Sequence, residues 1–505
     1  MESLMDQGIL LRSDCGGKGI CGKCRVKIII NDDIHETRNA CTLVVSEDIS
    51  IEIPESSMLS PHIVSKAPVS LPASFKGRFK KTYDKDCFGI AADLGTTTIA
   101  IYFCNTARGE VLSSIAVKNP QALYGDDVMS RIGAIGQNNE NLGRLQKMVV
   151  RAMEWGIKEL LKSSGKEDII ISQMVIVGNP TMIHILAGVD PKPIGTFPYQ
   201  PVFYEPGITR SKDLGFTIKD FSIQTLPQVS GFIGGDILSA ALAVELENQP
   251  EGTLLVDLGT NGELVLKGNG HFFATSCATG PAFEGASISC GMQAIPGAVN
   301  RVEIKSRKHF PVASYIHSQG FSNLKPSGIC GTGLISAVAE FCRNAIIEPS
   351  GVFRKNANIQ SFDKDISGKI KYILVPKDSA ANGSAVFISQ KDIRSVQLGK
   401  AALITGIEFL LREACLDKPE KIIVAGAFGS YLNKKDMRTL GMIPRMDPDN
   451  VEVAGNSAGS GAIMVLCDNT YLEKAIQMAS QITVVDLACN QDFQEVFIRK
   501  LNFPI

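Results

Sequence analysis

Four cysteines in the first 41 residues carry the most specific chemistry in this sequence. Cys15, Cys21 and Cys24 are spaced C-x5-C-x2-C, and Cys41 follows after sixteen further residues. Iron–sulfur clusters are held by four thiolates, three on one tight loop and a fourth arriving from elsewhere. The glycines between them, Gly16, Gly17, Gly19 and Gly22, let a loop wrap such a core. They tolerate positive φ and leave backbone N–H groups for the sulfides. Zinc is the rival metal, because four cysteines also make a tetrahedral site. Zinc sites usually come as two C-x2-C pairs, however, and only Cys21 and Cys24 form one here. The spacing favours a cluster.

A second constellation occurs twice. Asp93-Leu94-Gly95-Thr96 and Asp257-Leu258-Gly259-Thr260 each end an apolar strand and precede a small-residue turn and a returning strand. Both read as β-hairpins. In such a tip the glycine admits phosphate oxygens close to the backbone. Thr96 and Thr97, and Gly259, Thr260 and Asn261 in the second copy, supply hydroxyl and N–H donors. Asp93 and Asp257 suit the water shell of Mg²⁺, which keeps several waters in phosphate sites. A late apolar strand, Ile422-Ile423-Val424-Ala425, runs into a third glycine-rich turn, Gly426-Ala427-Phe428-Gly429. Gly328-Ile329-Cys330-Gly331-Thr332-Gly333 opens a helical stretch. A glycine-lined helix start there suits an anion or nucleotide edge, with Gly331 foremost, or else simply tight helix packing.

The elements that must position these residues follow from the apolar pattern. Residues 1–55 form the Cys-rich unit, ending in a strand at Ile49–Ile53, and 56–87 read as an extended linker. A first lobe spans 88–250 and a second 251–505, the duplicated hairpin marking an internal repeat. Between the hairpins, Asn141 to Ser163 has helical apolar spacing, and Gln173 to Gly178 reads as a buried strand entering a turn at Asn179-Pro180. Residues with 44% hydrophobic and 20% charged character form an ordinary globular chain, and a formal net charge of −1 argues against a nucleic-acid binder. No apolar run reaches membrane-spanning length and no secretory signal is visible, so a cytoplasmic protein is expected. The nine remaining cysteines are scattered and read as reduced, buried thiols, Cys277 and Cys290 included. No histidine sits at metal spacing, and His184 reads as a core or lobe-interface residue.

The cysteine loop resembles a [2Fe–2S] ferredoxin of the adrenodoxin type. Such domains open with a hairpin and helix; only fourteen residues precede Cys15 here, so this half is expected to be N-terminally short or to begin upstream. The two phosphate hairpins and the late strand–glycine turn resemble the actin/Hsp70/sugar-kinase (ASKHA) superfamily. Gly455-Asn456-Ser457-Ala458-Gly459-Ser460-Gly461-Ala462 is similar to its second connecting helix. The implied fold is α/β, an RNase H-like two-lobed ATPase preceded by a small β-grasp-like ferredoxin domain. In combination the motifs resemble the reductive activators of corrinoid proteins, with Asn119-Pro120-Gln121, Tyr124-Gly125-Asp126-Asp127 and the stretch from Gly280 to Gly297 adding to the likeness.

That resemblance implies an ATP-dependent electron relay restoring Co(I) in a corrinoid protein from a low-potential donor. Its cofactors would be a [2Fe–2S] cluster on Cys15, Cys21, Cys24 and Cys41, ATP, and Mg²⁺. Gly426, Ala427 and Gly429 would flank adenosine. No membrane or nucleic-acid partner is implied, and a homodimer is among the states allowed. Activators of 2-hydroxyacyl-CoA dehydratases, a small-molecule kinase of the same superfamily, and an ATP-gated binding module with a structural cluster stand as alternatives.

Overall fold

The computed structural model describes residues 24–505 except 31–32, 59–68, 79–85, 318–323, 355–358, 366, 382, 427–431 and 505. Before residue 24 it describes positions 3, 4, 7, 9, 11, 19 and 22. The chain divides into two compact units. The first comprises Met1–Ala67, Ala73–Ser239 and Gly461–Ile476, and the second Pro68–Pro72, Ala240–Ser460 and Gln477–Ile505.

The N-terminal part of the first unit is a three-stranded sheet in which Arg25–Ile30 lies between Asp33–Asn39 and Ser50–Glu52, antiparallel to both. Its small core joins Leu11, Cys24, Val26 and Ala40. The strand expected near Ile49–Ile53 is therefore present.

The larger part is a six-stranded sheet among the described residues, in the order Glu110–Lys118, Thr98–Asn105, Phe88–Leu94, Ile171–Gly178, Ser222–Thr225, Ile208–Arg210. Phe88–Leu94 is antiparallel to Thr98–Asn105 and parallel to Ile171–Gly178. Parallel strands are buried on both faces, which explains the unbroken apolar run Met174-Val175-Ile176-Val177, all fully buried. The helix Glu140–Ser163 covers the sheet with Leu145, Val149, Ala152, Met153, Ile157 and Leu160. Gly156 lets it approach closely, since a Cβ there would lie 2.6 Å from Ile101 Cδ1.

Two expectations are refined here. The turn at Asn179-Pro180 opens a helix, Pro180–Leu186, because Asn179 Oδ1 accepts from the Met182 N–H and proline occupies the first helical position. The connector is not wholly extended: Ala73–Arg78 is helical, anchored by a buried Phe75 whose ring centroid lies 5.9 Å from that of Tyr471. One aromatic anchor leaves no periodicity to read.

The second unit has its own six-stranded sheet among the described residues, in the order Val451–Gly455, Lys421–Ala425, Thr253–Leu258, Gly262–Gly268, His271–Cys277, Ile482–Val484. Lys421–Ala425 pairs parallel with Thr253–Leu258, bringing Ala425 beside Asp257. Helices Gly331–Arg343 and Gln390–Glu413 pack on this unit, the latter started by a capping box between Ser389 and Asp392. The unit boundary passes through the helices Gly235–Ala243 and Ser457–Cys467. Within the first unit Gly461 lies so close to Ser239 that a Cβ would meet its carbonyl oxygen at 1.9 Å, a close approach that the small residues of this helix allow. Among the described residues no helix is long and apolar enough to cross a membrane.

Candidate functional site: two braced hairpin tips and a cysteine pair

Each Asp-Leu-Gly-Thr segment forms the hairpin expected of it. In the first unit the strands Phe88–Leu94 and Thr98–Asn105 leave 95–97 as the tip, and the Gly95 N–H donates to the Thr98 carbonyl at 3.1 Å. A Cβ on Gly95 would lie 2.6 Å from that oxygen, so the tip requires glycine. The tip carbonyls are all tied back. Asn119 Nδ2 donates to the Gly95 carbonyl at 3.0 Å, and the Asn119 N–H to the Thr97 carbonyl at 2.8 Å. The fully buried Arg131 guanidinium donates to the Thr96 carbonyl at 2.6 Å, to the Gly125 carbonyl at 3.0 Å and to Gln121 Oε1 at 3.1 Å. Asn179 Nδ2 donates to Thr96 Oγ1 at 3.0 Å. In a trans peptide the C=O of one residue and the N–H of the next point opposite ways. Fixing these three carbonyls therefore turns the N–H groups of Thr96, Thr97 and Thr98 away from their braces. Thr96 is buried, whereas Asp93 and Thr97 are half-buried.

The second unit repeats this with different residues. Leu258 pairs with Gly262, and the Gly259 N–H donates to the Asn261 carbonyl at 2.9 Å. Thr279 Oγ1 lies 3.2 Å from the Gly259 carbonyl and 3.1 Å from the Thr260 carbonyl, its single O–H shared between them. The N–H groups of Thr260 and Asn261 are thereby turned away from Thr279. Thr260 Oγ1 donates to Glu284 Oε2 at 2.7 Å. Asp257, Gly259 and Asn261 are half-buried and Thr260 is buried. Backbone held in this way, with its carbonyls engaged on one side, is of the kind that suits an anion such as phosphate.

Gly426 follows the strand Lys421–Ala425 with φ +116°. A Cβ there would lie 2.4 Å from the Leu258 carbonyl and 3.2 Å from Asp257 Oδ1, so the late turn starts directly against the second hairpin. Ala427 and Gly429 lie outside the described residues. Gly331 starts its helix with the backbone pressed onto the 3-10 turn Pro281–Glu284, a Cβ falling 1.6 Å from the Phe283 carbonyl, which is the packing use of that glycine. Just beyond the late turn, a cavity of about 680 Å³ opens between the helices Gly331–Arg343 and Lys434–Leu440. It adjoins a second of about 490 Å³ that reaches Thr332. Arg301, Arg343, Lys434, Lys435, Arg438 and Arg445 make its wall cationic. Arg343 is already engaged, 2.6 Å from Asp436 and 2.7 Å from Glu340. Burial lifts the Asp436 carboxyl even so.

At the N-terminus Cys24 is buried and its Sγ lies 3.3 Å from Cys41 Sγ. That is far beyond a disulfide bond, and near the roughly 3.7 Å that two thiolates at about 2.3 Å from one tetrahedral metal would show. Asn39 Nδ2 donates to the Gly19 carbonyl at 2.8 Å, tying the cysteine loop to the turn bearing Cys41. Gly19 and Gly22 have φ of +75° and +62°, the positive φ anticipated for a wrapping loop. Cys15 and Cys21 lie outside the described residues. Among those described, no group of three or more His, Cys, Asp or Glu could hold a metal ion.

Burial pushes the Cys277 and Cys290 thiols up, opposite to what a reactive thiolate needs. His184 is a core residue: Nδ1 lies 2.8 Å from the Pro180 carbonyl, Nε2 accepts from the Val202 N–H, and burial lowers its pKa. Sequence reasoning missed Arg131, Asn179, Thr279 and Glu284. Asn179-Pro180 carried a readable helix-cap signal. Arg131 sits in a helix where an arginine ordinarily reads as solvated surface.

Comparison with known proteins identifies the family. Residues 251–505 match the C-terminal domain of RACo, the ASKHA domain, and residues 88–249 match the RACo middle region. The chain is 26% identical to the corrinoid activation enzyme RamQ of Eubacterium limosum, the alignment covering 98% of this chain and 94% of that protein. It is 24% identical to the [Co(II) methylated amine-specific corrinoid protein] reductase of Methanosarcina barkeri, over 82% of this chain and 77% of that one. A solved reductive activator for corrinoid, iron-sulfur protein superposes with a TM-score of 0.78 at 27% identity, covering 100% of this chain and 95% of that one. With family matches over both large regions, the chain belongs to the RACo family, and its C-terminal half is an ASKHA domain.

Proposed function

We propose that this protein is an ATP-dependent reductive activator that returns the corrinoid of a partner protein from Co(II) to Co(I). The observation that carries the reading is a coincidence within one chain. Two hairpin tips of the Asp-Leu-Gly-Thr type have their carbonyls tied back, and two cysteine sulfurs at the N-terminus are held 3.3 Å apart. The relatives' activities, corrinoid activation and Co(II) corrinoid protein reduction, support the same reading.

In this reading Thr96, Thr97, Gly259, Thr260 and Asn261 hold phosphates, and Asp93 and Asp257 order Mg²⁺ and its waters. Gly331, Gly426, Ala427 and Gly429 border the nucleoside, whose base enters the cationic cavity beside Lys434–Leu440. Cys15, Cys21, Cys24 and Cys41 hold a [2Fe–2S] cluster in a ferredoxin-like domain over residues 1–55, linked through 56–87 to lobes at 88–250 and 251–505. The donor set is compatible: Cys24 and Cys41 Sγ lie 3.3 Å apart, close to the roughly 3.7 Å of two thiolates on one tetrahedral metal. Bound there, the cluster supplies one-electron transfer from a low-potential donor. ATP acts by favouring one conformation, which it can do only through unequal affinity for the two states.

The test is anaerobic reconstitution followed by mixing with a Co(II) corrinoid protein and a low-potential reductant, watching Co(I) absorbance with and without ATP. Co(I) should form quickly only with ATP, and Cys24→Ser and Asp257→Ala should each abolish it. An intact, reducible cluster that never yields Co(I) refutes the reading.

A further inference from the structure

The turn after the strand His271–Cys277 is built with unusual care around one half-exposed carboxylate. Pro281–Glu284 is a single 3-10 turn between two glycines at positive φ, Gly280 at +78° and Gly285, in the left-handed conformation, at +79°. A Cβ on Gly285 would meet the Met292 carbonyl at 2.1 Å. Phe283 is fully buried, its carbonyl against Gly331 and its ring against Gly399, where a Cβ would lie 2.8 Å away. The result is that Glu284, flanked by this packing, reaches the second hairpin tip. Its Oε2 accepts from Thr260 Oγ1 at 2.7 Å, and its Oε1 comes within 3.5 Å of the Cβ position of Gly259.

A carboxylate is a poor neighbour for a phosphate-binding tip unless something stands between the two negative charges. A water molecule held by the carboxylate is such a mediator, and it is also the nucleophile of hydrolysis. The geometry points to Glu284 as the catalytic carboxylate that orients and deprotonates the water attacking the γ-phosphate of ATP. The water oxygen bonds to the γ-phosphorus as the bond to the β,γ-bridging oxygen breaks, that electron pair leaving with ADP. The water's proton goes to Glu284 and then to the released phosphate. Thr260, through its hydroxyl, keeps the carboxylate at the tip. This inference rests on the ATP-binding reading above and assigns it a hydrolytic residue that the sequence did not single out.

The experiment measures phosphate release and ATP affinity separately, on the full chain. Glu284→Gln keeps the shape and the bond from Thr260 but cannot take a proton. It should release phosphate about 100-fold more slowly than the unaltered protein, within the usual contribution of a general base. Its Kd for ATP should stay within about three-fold. Glu284→Asp should recover part of the rate, and Thr260→Val, which cuts the tether and keeps the acid, should be slowed less than Glu284→Gln. Normal hydrolysis by Glu284→Gln overturns the assignment. So does a parallel loss of binding and turnover in Glu284→Gln and Thr260→Val, which would make Glu284 a tether only. Absence of ATP binding by the unaltered protein would instead remove the wider nucleotide reading, and this inference with it.

Discussion

Gly426→Ala tests whether the late turn and the second hairpin are one construction. Gly426 has φ +116°, outside the left-handed basin that other residues occasionally visit, and a Cβ would lie 2.4 Å from the Leu258 carbonyl. The backbone strain is worth about 1–3 kcal/mol. Relieving the overlap requires moving a packed strand end, another 1–3 kcal/mol or so. Together they predict a loss of about 4 kcal/mol. Gly270→Ala is the internal control. Gly270 also has positive φ, +74°, but nothing lies within 4 Å of its Cβ position, so only the left-handed cost of about 1–2 kcal/mol applies. Hydrogen exchange read on peptides over Thr253–Leu258 reports the opening free energy of that strand directly. It should fall markedly in Gly426→Ala and little in Gly270→Ala. Because the displaced atoms include Asp257 Oδ1, 3.2 Å from the added carbon, ATP affinity should also drop at least ten-fold in Gly426→Ala alone. Equal exchange and equal ATP affinity in the two variants would refute the reasoning.

Arg131→Met removes the donor to the Thr96 carbonyl, the Gly125 carbonyl and Gln121 Oε1. Each abandoned buried acceptor costs about 1–3 kcal/mol, offset in part by losing a buried charge. Urea unfolding followed by the sole tryptophan, Trp155, should show a net loss of about 3 kcal/mol, with ATP affinity down ten-fold or more. Lys400 donates to the Asn502 carbonyl at 2.5 Å, and burial depresses its pKa from 10.5 to about 8. The unfolded chain then binds more protons between those values, so stability rises with pH from about 8 to 10.5. Comparison with Lys400→Met should reveal a gain of about 1–2 kcal/mol across that window, discounted for solvent screening. A flat difference would mean the ammonium is not desolvated.

Both hairpins were legible because Asp-Leu-Gly-Thr after an apolar strand leaves few alternatives, and the Glu140–Ser163 helix because its apolar spacing is long and regular. The braces were not legible. Arg131 lies 35 residues from Thr96, and Thr279 lies 19 from Thr260. Nothing local distinguishes them from a surface arginine or a loop threonine. The Asn119-Pro120-Gln121 and Gly125 segments stood out only by resemblance, and the structure supplies their physical use. Gln121 and Gly125 satisfy Arg131 so that it can hold the Thr96 carbonyl. Burial of a guanidinium requires this many acceptors, which is why several unremarkable residues are tied to one position. The short Ala73–Arg78 helix escaped for the opposite reason, a single anchored ring in an otherwise polar connector.

The two tips share a backbone solution and differ in charge. In the first unit the brace is cationic, Arg131, and Asn119 and Asn179 also donate to the tip. In the second unit the brace is a neutral threonine, and the additional side chain is an acid, Glu284. A cationic brace behind donor N–H groups adds favourable potential for phosphate and offers nothing to take a proton. An acid at the tip weakens phosphate binding and can take one. On this chemistry the first hairpin is suited to holding phosphate and the second to acting on it. Arg131→Met should therefore raise the Kd for ATP while leaving turnover of bound ATP nearly unchanged. Glu284→Gln should do the reverse. If both variants raise Kd and leave saturated turnover alone, the division of labour between the tips is wrong, and the difference in their charge is only a difference in packing.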